Sequence, residues 1–74
     1  MKALDEVKIQ FDHQYFKQLM KEKKWKHKRL AEETGLYLLT IRNYSKGARL
    51  PKTEALYKIA IALDVSMEDL LKEV

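Results

Sequence analysis

The side chains of this chain best equipped for chemistry are its cations. Between Phe11 and Lys52 there are eleven Lys/Arg against four Asp/Glu, a local excess of +7. The remaining residues hold four against seven, a balance of −3, and the whole chain stands at +4. A surface charged in this way attracts polyanions. Taken alone, a run such as Lys17 to Arg29 also reads as a merely solvated face. Other chemistries are poorly served. His13 and His27 are the only histidines, there is no Cys, and the two histidines fall on different expected helices. No Gly-rich phosphate loop, metal-ligand spacing or nucleophile with an evident base occurs. Ser45 and Ser66 read as a helix-end residue and an N-cap. Asp64, Glu68 and Asp69 read as helix-start chemistry rather than a metal site. The expectation is therefore no catalytic residue, no metal and no cofactor.

The cations need a scaffold, and the segment Leu30-Ala31-Glu32-Glu33-Thr34-Gly35 supplies its centre. Leu30, Ala31 and Thr34 share one helical face. Gly35 suits a helix that stops and turns sharply, because it takes a positive φ without steric cost. Ala31 is small where a second helix must approach, and Ile41 and Tyr44 give that helix a buried face. Two short helices joined by one tight turn form a helix-turn-helix, whose second helix can enter the DNA major groove. The coincidence of this motif with the basic half favours a phosphate-facing surface over a solvated one.

The flanking elements follow from periodicity and caps. Val7, Ile9 and Phe11 alternate with polar residues, which predicts an extended arm or strand over 1–11 that needs a partner in this chain or a second subunit. Asp12 would cap a first helix over 12–24, with Phe16, Leu19 and Met20 inward and Trp25 closing the connection. The second and third helices are expected over 27–34 and 38–45. Residues 46–51, with Gly47 and Pro51, form a loop. A fourth helix over 52–63 places Ala55, Leu56, Ile59, Ala60 and Leu63 at helical spacing. Ser66-Met67-Glu68-Asp69 looks like a capping box and predicts a fifth helix carrying Met67, Leu70, Leu71 and Val74. With 74 residues, one domain is expected, with a thin stability margin. Its 46% hydrophobic and 35% charged residues fit a folded, helix-rich chain. The longest apolar run, Ile59 to Leu63, is too short to span a bilayer, and the first residues lack a signal core. The default is a cytoplasmic protein with no membrane partner.

From about Phe16 to Leu71 the chain resembles the phage repressor and Cro type of helix-turn-helix domain, the xenobiotic-response-element type. The landmarks are Leu30-Ala31-Glu32, Gly35, Ile41, Gly47 and Leu50-Pro51, then Leu56-x-x-Ile59-Ala60-x-Ala62-Leu63 and Val65-Ser66-x-x-x-Leu70-Leu71. The resemblance implies an all-α, five-helix, lambda-repressor-like domain over residues 12–74. Such a domain binds a double-stranded DNA operator, usually as a homodimer, and regulates transcription, here as a repressor. It implies phosphate contacts from Lys26 and His27 at the start of the second helix, from Thr40, and from Lys46, Arg49 and Lys52. It makes residues 37–45 the recognition helix, with Tyr37, Leu38, Leu39, Arg42 and Asn43 as base readers. Arg can bond guanine and Asn adenine in bidentate fashion.

Two features depart from the family pattern. Leu38 and Leu39 stand where polar readers are common, and can only touch thymine methyl groups, extend the buried face or meet a protein. Lys26 and Tyr37 replace the usual Ser/Thr caps. The competing reading is a helix-turn-helix used as a protein-interaction or antitoxin-like module, with Tyr57, Ile61, Val74 and the Val7/Ile9/Phe11 arm as contact surface. RNA binding is weaker, since no aromatic stacking platform is evident.

Overall fold

The computed structural model describes residues 3–74; the first two residues of the expected 1–11 arm lie outside the described residues. A 3-10 turn at Leu4–Glu6 leads into strand β1 (Ile9–Phe11). Helices α1 (His13–Lys23), α2 (His27–Thr34), α3 (Leu38–Ser45) and α4 (Thr53–Leu63) follow, then a second 3-10 turn at Glu68–Leu70 and strand β2 (Leu71–Glu73). No helix among the described residues is long and apolar enough to cross a membrane.

Local hydrogen bonds set both ends of α1 and the end of α2. The Tyr15 N–H donates to the Asp12 carboxylate at 3.1 Å, which opens α1 with a side-chain cap. α1 closes through Lys24 in the left-handed region, with the Trp25 N–H donating to the Met20 carbonyl. In α2 the Thr34 hydroxyl donates back to the Leu30 carbonyl at 2.7 Å and accepts from the Leu36 N–H at 3.2 Å. One side chain thereby ends the helix and starts the turn.

The two glycines serve different needs. Gly35 has φ +76° with open space where a Cβ would stand, so only its backbone conformation calls for glycine. Gly47 has φ +75°, and a Cβ there would lie 2.8 Å from His13 Nε2. The loop after α3 thus presses directly on the start of α1.

One core joins all four helices and the ribbon. Phe16, Leu30, Ile41, Ile59, Leu63 and Leu70 are fully buried, with Phe11, Leu19, Met20, Tyr44, Leu56 and Ala60 around them. The Phe11 ring meets Phe16 and Tyr44 edge-on, at centroid distances of 5.4 and 6.3 Å. Trp25 is half-buried against this core, with Lys23 and Arg29 over its ring.

The expected fifth helix is absent from the described residues, so the all-α, five-helix description becomes four helices and a two-stranded sheet. The predicted capping box does form. The Ser66 N–H donates to Asp69, and the Asp69 N–H donates to the Ser66 hydroxyl. It opens only one 3-10 turn. Leu70 reaches the core within that turn, whereas Leu71 and Val74 stay exposed, so a continued helix would have little apolar surface left to bury. The chain extends instead, and β2 pairs antiparallel with β1 in the register Ile9–Glu73, Gln10–Lys72 and Phe11–Leu71. The Asp12 N–H donating to the Leu70 carbonyl at 2.8 Å locks the ribbon to the start of α1. The partner that the Val7/Ile9/Phe11 alternation required is in the same chain.

Candidate nucleic-acid interface

The turn at Gly35 sets α3 against α2, and α3 divides its side chains between two surroundings. Ile41 and Tyr44 face the core. Tyr37, Leu39, Arg42 and Lys46 are exposed, and the spacing of Leu39, Arg42 and Lys46 gives them one outward face. Thr40 and Asn43 are half-buried at its margin. Tyr37, the N-cap of α3, is 84% exposed and makes no side-chain cap. The two leucines part company. Leu39 is 67% exposed, whereas Leu38 is half-buried outside the core cluster. Leu38 therefore does not extend the buried face of Ile41; it lines a groove.

That groove runs between α1, the start of α2 and one flank of α3. Lys17, Met20 and Lys21 line it from α1, Trp25 and Lys26 from the connection, His27 and Lys28 from α2, and Leu38, Arg42 and Ser45 from α3. Five of these carry a formal positive charge, and no carboxylate is among them. Glu32 lies in an adjoining depression with Lys24 and Arg29, and three other acidic groups are engaged elsewhere. Glu22 accepts from Gln18, and Glu33 pairs with Arg29 at 2.9 Å. Asp12 caps α1. Their absence from the groove leaves its charge uncompensated, which is the condition for holding an anion against water.

Lys26 is the N-cap of α2 and supplies no side-chain cap; its carbonyl accepts from the Arg29 and Leu30 N–H groups, and His27 and Lys28 stand at the positive end of the helix dipole, which favours an anion. His27 is more tightly placed. Its Nε2 lies 3.1 Å from the Ser45 hydroxyl, tying the first turn of α2 to the last turn of α3. Burial lowers the His27 pKa below its ordinary 6.5, and the Arg42 guanidinium lowers it further.

The expected contact residues thus fall into separate places. Lys26, His27, Leu38 and Arg42 share the groove. Arg49 and Lys52 line a second depression with Leu36, Tyr44, Leu50 and Glu54, which has no residue in common with the first. Sequence reasoning missed Lys17, Lys21 and Lys28 as groove walls; the positive run that holds them was the available signal. It also missed Ser45 as the partner of His27, for which eighteen residues of separation leave no local signal. Among the described residues, no group of three His, Cys, Asp or Glu could hold a metal ion.

No curated protein and no solved structure gives a significant match to the chain. A family model for the Cro/C1-type helix-turn-helix DNA-binding domain matches residues 16–74. That span runs from Phe16 on α1 through β2 and contains every side chain that walls the groove. The charge, the start of α2 and the outward α3 face thus lie within one matched unit, and the chain belongs to the Cro/C1-type helix-turn-helix DNA-binding family, whose members are DNA-binding regulators.

Proposed function

We propose that this protein is a transcriptional repressor that reads a double-stranded operator with residues 37–45. In this reading α3 lies in the major groove. Arg42 and Asn43 make the hydrogen-bonded base contacts, Tyr37 and Leu39 add contacts at the start of the helix, and Leu38 packs at the groove edge against thymine methyl groups. Lys26, His27, Thr40 and Lys46 hold phosphates on the flanks of α3, and Arg49 and Lys52 hold them from the loop side. The observation that carries the reading is the carboxylate-free basic groove alongside an exposed α3 face.

Two copies would read two half-sites with centres about 34 Å apart, one turn of B-DNA. The exposed pair Tyr57 and Ile61 on α4 supplies apolar surface for such pairing.

The deciding experiment is selection from a random duplex pool, followed by gel shifts at several salt concentrations. Enrichment of a two-fold-symmetric sequence with steep salt dependence is expected. Failure to enrich any sequence would instead favour the protein-interaction reading. The exposed Leu39, Tyr57 and Ile61 are the specific observation on that side.

A further inference from the structure

His27 is placed where a proton and a phosphate would favour each other. It stands at the first turn of α2 and shares a hydrogen bond with Ser45 on α3. The charged groups around it come from every wall of the groove: Lys17 and Lys21 on α1, Lys26 in the connection, Lys28 on α2 and Arg42 on α3. None is negative. In the free protein burial opposes a charge on the imidazole and lowers its proton affinity, and the Arg42 guanidinium lowers it further. Phosphates entering the groove reverse the sign of the local field and favour the imidazolium.

We propose that His27 couples DNA binding to proton uptake, taking one proton from solvent when phosphates fill the groove, so that affinity rises as pH falls. The coupling rests on the DNA-binding reading given above. The Ser45 hydroxyl makes it structurally cheap. A hydroxyl both donates and accepts, so it can donate to a neutral ring nitrogen or accept from a protonated one. The imidazole therefore gains its proton without releasing α3, and the outward face of α3 keeps its aim. His13, the only other histidine in the chain, lies against Gly47 and does not line the groove.

The test compares the native chain with His27→Gln on one mixed-sequence DNA duplex at fixed ionic strength, from about pH 8 to about pH 5.5. For the native chain, affinity should rise by roughly three- to tenfold per chain over that range, the gain expected from up to one unit of pKa change. The slope should flatten in His27→Gln. Independently of any variant, the His27 ring resonances of the native chain should titrate at higher pH with duplex than without. Equal pH slopes in the two proteins, or a His27 titration unmoved by duplex, would overturn the coupling and leave DNA binding standing. No binding by either protein at any pH would overturn the DNA-binding reading and the coupling with it.

Discussion

The two faces of α3 are built to different rules. On the inner face Ile41 and Tyr44 are 0% and 4% exposed and belong to the apolar core. On the outer face Leu39 is 67% exposed and Arg42 reaches solvent beside a groove of like charges. The inner face is held by the hydrophobic effect, which rewards area removed from water. The outer face gains nothing from folding and is tolerated because the inner one holds. The eight-residue helix is too short to persist alone, so its outer face depends on the core residues of its inner one. The two faces meet at Ser45, which is buried yet bonded to His27 in the groove.

This contrast can be broken in four ways. Ile41→Ala should have the largest effect, lowering stability by about 2–5 kcal/mol in denaturant unfolding, because the space left in the core cannot refill. DNA binding would be lost with it, but only as far as the fold is lost. Arg42→Ala is the reverse case. It should cost roughly 1–3 kcal/mol in duplex affinity and relax specificity at one base, with an unchanged unfolding midpoint. An equal loss of stability would show that the two faces are not separable. Lys46→Ala should weaken binding to all duplexes alike and flatten the log-affinity against log-salt slope by about one. The smallest effect belongs to the joint between the faces. The His27 proton affinity is lowered in the folded chain, so the unfolded chain binds more protons below about pH 6.5. Stability should therefore fall slightly as pH drops through that range, and the dependence should be reduced in His27→Gln. A rise in stability on acidification would place His27 in a different environment.

The inner face was readable in the sequence and the groove only in part, for one physical reason. Helical periodicity and caps are local. The expected spans 27–34 and 38–45 coincide with α2 and α3, and those of α1 and α4 differ by a residue at their ends. The C-terminal segment shows the limit of local signals. Its capping box formed as expected, but the choice between helix and strand rested on β1, some sixty residues away. The groove has the same character. The identity of Arg42 and Lys26 is plain in the sequence, whereas their meeting with Lys17 and Lys21, and the His27–Ser45 bond, exist only once α1 packs on α3. Leu38 was ambiguous for the same reason: its neighbours, not its own type or spacing, give it to the groove.

Trp25 is the only tryptophan in the chain. Its ring forms part of the groove wall, half-buried, with the Arg29 guanidinium 4.7 Å from the ring centre. The protein therefore carries a single optical reporter beside the surface that would receive phosphates. Indole emission responds to nearby charge and to solvent access, and both change when an anion displaces water there. Occupancy of the groove becomes visible by intrinsic fluorescence, without a label and without a second tryptophan to dilute the signal.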